Sequence, residues 1–247
     1  MRKYLLFICL IASLHGEVIN IALAANVSYA IDEIKKEFAL LHPKIQLNIT
    51  LGSSGKLTAQ IQHGAPYQLF MSANMQYPQA LYENSLAVTK PLIYAQGSLA
   101  FLSVKKLDFS KKMALLEDEN ISKIAIANPK TAPYGKAALE ALKNAHIYNK
   151  VKKKLIYGES ISQTISYTVR ATDIGLVAKS ALFSPKMRRF KKGINWVDVE
   201  SKLYTPIDQG IVILKNGKNS SGVQAFYDFI LSQDAKKIFK DFGYTIP

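Results

Sequence analysis

The chain has 247 residues, 49% of them hydrophobic, and carries 32 Lys and Arg against 18 Asp and Glu, a net charge of +14. That apolar content excludes a disordered chain, and the length suits one large or two modest packed domains. The single cysteine, Cys9, excludes a disulfide framework and a cysteine metal site.

The basic excess is compatible with nucleic acid, an acidic membrane surface, steering of a small anion, or no more than a solvated surface. The lysines form short runs such as Lys152-Lys153-Lys154 without the interleaved aromatics of a nucleic-acid face. Residues 1–16 place Arg2 and Lys3 before the apolar run Leu5 to Leu14 and close on small residues, the layout of a secretory signal peptide. An apolar run of roughly ten residues falls short of the about 20 a transmembrane helix needs. The expectation is a cleaved leader and an exported, soluble chain starting near Glu17. With Arg2 and Lys3 gone, 30 basic residues face 18 acidic ones, net +12. Leu6-Phe7-Ile8 before Cys9 lack the small residues of a lipidation signal, which leaves a lipid-anchored form as the alternative.

From Val18 onward short apolar runs alternate with helical patterns, the signature of an α/β protein with largely parallel sheets. Val18 to Leu23 predicts a strand, and Val27, Ala30, Ile31, Ile34 and Phe38 form the stripe of a helix. Ile45 to Leu51 alternates as a strand. Leu57 and Ile61 mark a helix that stops at Gly64-Ala65-Pro66, ahead of the run Leu69 to Met71. Ile124 to Ala127 reads as a strand entering Asn128-Pro129, with a helix after Pro133-Tyr134-Gly135. Leu155 to Tyr157, a helix carrying Ile161, Ile165 and Val169, and a buried strand Ile174 to Val177 repeat the pattern. Ile211 to Leu214 predicts a late strand, and Phe226, Phe229, Ile230 and Ile238 belong to closing helices.

Four strand-to-helix junctions share one character: Ala25-Asn26-Val27-Ser28, Gly52-Ser53-Ser54-Gly55, Ala132-Pro133-Tyr134-Gly135 and Ser160-Ile161-Ser162. Each sets small neutral hydrogen-bond donors where a helix begins, and a helix N-terminus holds an anion without a charged side chain. Gly52, Gly55 and Gly135 are expected to let the backbone approach the anion closely. Taken singly, each junction is also an ordinary helix cap. A donor-only site suits a fully deprotonated dianion, because a protonated anion needs an acceptor as well. His42, His63 and His146 show no metal-ligand spacing, no nucleophile or phosphate-loop motif occurs, and Glu159 is the one acid near a junction. The chain is therefore expected to bind and not to catalyse, with no cofactor and no metal cation.

These junctions resemble those of the periplasmic molybdate-binding proteins of ABC importers, the ModA family. The resemblance runs from about Val18 to Pro247 and is also carried by Leu69-Phe70-Met71-Ser72-Ala73, Ile174-Gly175-Leu176-Val177 and Phe242-Gly243-Tyr244-Thr245-Ile246. It implies a two-lobed α/β periplasmic binding protein of type II, each lobe a mainly parallel sheet flanked by helices, with the ligand in the interlobe cleft. The first lobe would comprise 17–95 and 206–247, the second 96–205, with crossings near Tyr94 to Ser98 and Leu203 to Ile207. The implied anion-binding residues are Ala25, Asn26, Ser54, Tyr134 and Ile161. The implied ligand is molybdate or tungstate, with sulfate or thiosulfate as the alternative dianion, and the implied partner is a membrane permease served by a periplasmic monomer. Asn26 and Ala-Pro-Tyr-Gly at 132–135 match one branch of the family, whereas the other has Ser at the first site and a ligand tyrosine where Ala178 stands. Gln68 replaces an aspartate carried by many relatives.

Overall fold

The structure, a computed structural model, describes residues 16–247; the expected leader, apart from Gly16, lies outside the described residues. In chain order the elements are β1 (Glu17–Ala24), a 3-10 turn (Ala25–Tyr29), α1 (Ile31–Leu41), β2 (Ile45–Gly52), α2 (Ser54–Gln62), β3 (Leu69–Ser72), α3 (Gln76–Glu83), β4 (Leu92–Gly97) and β5 (Leu99–Leu102). There follow β6 (Ile124–Ala127), α4 (Pro133–Asn144), α5 (Tyr148–Val151), β7 (Leu155–Gly158), α6 (Ile161–Arg170) and β8 (Ile174–Ala178). The last are β9 (Trp196–Asp198), β10 (Ile207–Ile213), α7 (Ser221–Leu231) and α8 (Gln233–Asp241).

The strands form two five-stranded sheets, in the orders β2-β1-β3-β10-β4 and β7-β6-β8-β5-β9. In the first, β1 runs parallel to β2 and β3, while β10 is antiparallel to β3 and β4. In the second, β6 is parallel to β7 and β8, and β5 is antiparallel to β8 and β9. The sheets are therefore mixed, not mainly parallel as the sequence pattern implied. Each mixes because a strand that has just crossed from the other sheet enters against the βαβ direction.

Period-2 alternation on β1 sends Ile19, Ile21 and Leu23 to one face, where they pack with Ile34 and Phe38 of α1 and Phe226 and Phe239 of α7 and α8. Ala22 faces the other way, toward Leu57 and Ile61 of α2 and Leu81 of α3. Phe38 sits edge-on to Phe226, 5.0 Å between ring centres at 84°, and a buried ring of this kind contributes about 1.5–3 kcal/mol. The second sheet is covered by α4 and α5 on one face and by α6 and the segment around Phe190 on the other. Only Ser98 separates β4 in the first sheet from β5 in the second. The return passes through residues 199–206, where the Tyr204 hydroxyl accepts the Leu99 N–H at 3.0 Å and ties the two crossings together.

Candidate anion-binding site

The C-terminal ends of β1, β2, β6 and β7 meet where the sheets face each other, the place where open α/β sheets leave room for ligands. There Ala24 at the end of β1 with Ala25 and Asn26 after it, Gly52 at the end of β2 with Ser53 and Ser54 after it, and Ala73 after β3 face Ala132, Pro133 and Tyr134 at the start of α4 and Ile161 of α6 around a small cavity. The structure brings together all five residues picked out from the sequence: Ala25, Asn26, Ser54, Tyr134 and Ile161 line this cavity, none more than 5% exposed. No carboxylate, histidine, lysine, arginine or cysteine is among the lining residues. Glu159 instead pairs with Lys56 at 2.7 Å on the outer side, so it offers the cavity neither acid nor base.

Ordinary capping accounts for one junction of the four. Ser160 accepts the Gln163 N–H at 3.3 Å, whereas the residues before the other three helical starts, Ala24, Ser53 and Ala132, make no side-chain cap bond. Ser53 is the informative case, because its Oγ is buried with no partner, and a buried hydroxyl left unpaired is costly unless a ligand satisfies it. The neighbouring Ser54 Oγ accepts the Ala73 N–H at 2.9 Å and so keeps its own proton to donate. The sequence pointed to Ser54; Ser53 was not singled out, and its missing cap bond, visible only in three dimensions, is the signal that finds it. Ser54 and Ile161 open α2 and α6, and Tyr134 follows Pro133 at the start of α4. First-turn N–H groups have no acceptor inside their own helix and sit at its positive end.

At the first junction the structure departs from expectation: a five-residue 3-10 turn, Ala25–Tyr29, precedes α1, which starts only at Ile31. Ser28 Oγ donates to the Ala25 carbonyl at 2.7 Å and holds the tight turn. Asn26 also differs. Its Nδ2 donates to Gln209 Oε1 at 2.7 Å and to the Tyr244 hydroxyl at 2.8 Å. Gln209 Nε2 in turn donates to the Ile207 carbonyl at 2.7 Å, which fixes the orientation of both amides. With both amide protons spent, the side chain of Asn26 braces the turn, which leaves its backbone N–H and its buried, unpartnered Oδ1. Tyr244 returns a bond to the Asn26 carbonyl at 3.1 Å, and Ser180 Oγ reaches the same oxygen at 3.3 Å. Gln209 and Ser180 gave no functional signal in the sequence, and Tyr244 entered only within the run Phe242 to Ile246 that carries part of the resemblance.

The glycines too serve protein contacts. A Cβ at Gly135 would lie 2.2 Å from the Ala127 carbonyl oxygen, one at Gly52 3.1 Å from the Leu57 side chain, and one at Gly97 2.0 Å from the Tyr134 hydroxyl. The phenol of Tyr134 is thus seated against β4 near Gln209, and burial pushes its pKa well above the usual value. Burial likewise pushes Tyr244 up to about 12. The cavity wall is uncharged around neutral pH, and its polarity comes mainly from N–H and O–H groups, beside the carbonyl oxygen of the Asn26 side chain. Such a wall has hydrogen bonds, and no formal charge, to offer a ligand.

A family model described as bacterial extracellular solute-binding protein matches residues 19–245. The chain belongs to that family. Among solute-binding relatives, the molybdate-binding protein ModA of Rhodobacter capsulatus is 34% identical over 234 residues, 93% of this chain and 88% of its own. The solved structure of the Azotobacter vinelandii periplasmic molybdate-binding protein superposes with a TM-score of 0.84 at 28% identity, covering 93% of this chain and 99% of that one. The sulfate-binding protein SubI of Mycobacterium tuberculosis reaches a TM-score of 0.77 at 12% identity over 92% and 86% of the two chains, a likeness of fold alone. The two-lobed α/β fold expected from the sequence is the fold of these solute-binding proteins.

Proposed function

We propose that this solute-binding protein captures molybdate, and tungstate with it, in the cavity between the two sheets and hands the dianion to the permease of an ABC importer. It does so by binding and release, with no bond made or broken. The observation that carries the reading is the lining: neutral donors converge on one buried cavity with no acceptor carboxylate among them. A hydrogen phosphate would find no carboxylate to take its O–H, with Asn26 Oδ1 the one unpartnered side-chain carbonyl of the lining, whereas a fully deprotonated dianion accepts at every oxygen. Identity to proteins named as molybdate-binding, over nearly the whole chain, supports the choice among dianions.

On this reading the backbone N–H groups of Asn26, Ser54, Tyr134 and Ile161, beside Ala25, and the hydroxyls of Ser53 and Ser54 form the donor shell. The lobes are 17–95 with 206–247 and 96–205, and residues 1–16 are an export leader that delivers a monomer to the periplasm without a nucleic-acid partner. Asn26 and the Ala-Pro-Tyr-Gly run assign the chain to the branch of the molybdate-binding proteins that lacks a ligand tyrosine at position 178. Calorimetry of the mature chain against molybdate, tungstate, sulfate, thiosulfate and phosphate tests the reading. Molybdate and tungstate are expected to bind tightest. Tight phosphate with silent molybdate refutes the reading, and sulfate binding above molybdate replaces the ligand with another tetrahedral dianion.

A further inference from the structure

Across the cleft from the donor shell, α2 meets the segment that leads into α4. Gly55, the second residue of α2, donates its N–H to the Thr131 carbonyl at 2.9 Å. A Cβ at Gly55 would stand 2.9 Å from that same oxygen and 3.0 Å from the Thr131 Cα. Both are backbone atoms and cannot rotate away. Gly55 is not one of the positive-φ glycines, Gly64, Gly193 and Gly243, so the helix itself accepts an alanine there and gains propensity from it. The conflict with backbone lies between the halves of the molecule, not within the helix.

Other contacts bridge the same seam. Lys56, next in α2, pairs with Glu159, Ser162 Oγ donates to the Ala25 carbonyl at 3.1 Å, and Ser180 Oγ reaches Asn26. These side chains are flexible or partly exposed and can shift by fractions of an ångström. The Gly55–Thr131 contact joins backbone to backbone and has no such freedom, so it sets how near the two halves come.

Resting on the carrier reading, in which the halves must part for a dianion to reach and leave residues at most 5% exposed, we propose that Gly55 is the positioning residue for closure: its missing side chain lets residue 131 dock on α2, and an alanine there holds the halves apart. The apparent affinity of a ligand falls with the fraction of molecules that reach the binding-competent form. Gly55→Ala therefore acts on the closed state alone.

The test measures anion affinity and release rate, ligand-free melting temperature, and the contraction in radius of gyration by X-ray scattering at the anion concentration that saturates the parent. For Gly55→Ala, affinity is expected to drop about 5- to 150-fold, the range produced by overpacking a contact that only one state makes. The loss appears mainly as faster release, the ligand-free protein melts at or above the parent temperature, and the contraction is diminished. Parent-like affinity with parent-like contraction overturns the proposal. So does a ligand-free protein that fails to fold or melts lower. Because the nearest neighbour of a Cβ at Gly55 is the Tyr77 hydroxyl of α3, at 2.7 Å and at the end of a side chain that can shift, the comparison is repeated in a Tyr77→Phe background. There the loss is expected to persist, and recovery of parent affinity assigns the clash to Tyr77 and overturns the proposal. Titrating the parent against the oxyanion panel first keeps the two readings apart. Binding of an anion other than molybdate overturns the ligand, and the closure comparison is then run with that anion.

Discussion

Replacing Ser53 and Ser54 one at a time by alanine separates a ligand donor from a ligand donor that is also a structural acceptor. Ser53 Oγ is buried and has no hydrogen-bond partner within the protein, so Ser53→Ala breaks no bond of the fold and spares a buried hydroxyl its desolvation. The ligand-free melting temperature should hold or rise slightly. Bound anion, however, loses a hydrogen bond from a neutral donor to a charge, worth about 1.5–3 kcal/mol, or roughly 13- to 160-fold in affinity. Ser54→Ala removes a similar donor and also strips the Ala73 N–H of its acceptor. A buried N–H left unpaired costs about 1–3 kcal/mol, and for a chain of this size that lowers the melting temperature by about 2–12 °C. Calorimetric titration with molybdate, run beside differential scanning calorimetry of the ligand-free proteins, reads both quantities. Affinity falling in both variants, with melting falling only for Ser54→Ala, is the expected pattern. Parent-like molybdate affinity in Ser53→Ala removes its hydroxyl from the site.

Ile161→Ala keeps its backbone N–H, so molybdate affinity should change by less than about threefold while the lost buried side chain costs about 2–5 kcal/mol of stability; an affinity loss as large as that of Ser53→Ala would contradict a backbone role. With no lining group that titrates near neutrality, and Tyr134 held protonated by burial, affinity should stay flat from about pH 6 to 9. A pH-dependent step in titrations across that window would place a charged group in the cavity. At Asp173, burial opposes ionisation, but hydrogen bonds from Lys105, Lys123 and Ser122 outweigh it and hold the carboxyl well below the usual range. Its folded pKa being depressed, the stabilisation is present above the unfolded value of about 3.9 and is lost as pH falls toward the folded value. Asp173→Asn should cost about 1.5–3 kcal/mol at pH 7 in chemical denaturation, with a narrower gap at about pH 3; an unchanged gap would show that ionisation is not what stabilises.

Strands with continuous apolar runs were readable: Ile124 to Ala127 is β6 residue for residue, and Ile174 to Val177 lacks only Ala178 of β8. The strands around the first crossing were not, because β4 ends in Gln96 and Gly97 and a single residue, Ser98, parts it from β5 with no turn or helix between them. The helix α3 escaped because Pro78 interrupts its apolar pattern. Strand direction is set by where the chain re-enters a sheet, a fact no local periodicity carries, and so the mixed sheets read as parallel. The four junctions were legible because small donors after apolar strands are a local pattern. Which of two adjacent serines finds a partner depends on where α2 sits relative to Ala73, and that is long-range. The brace on Asn26 comes from residues 183 and 218 positions away.

The place of β10 has a consequence for how the molecule is made. Residues 207–213 lie between β3 and β4, each paired with β10, so the first sheet is split until most of the chain has left the ribosome. The second sheet is contiguous in sequence, from Leu99 to Asp198, and can form while its host remains open. The first sheet is complete only when a late strand joins two early ones, a closure of high contact order of the kind that folds slowly. A nascent chain stopped short of residue 207 presents two unpaired edges, at β3 and β4, where sheets recruit foreign strands.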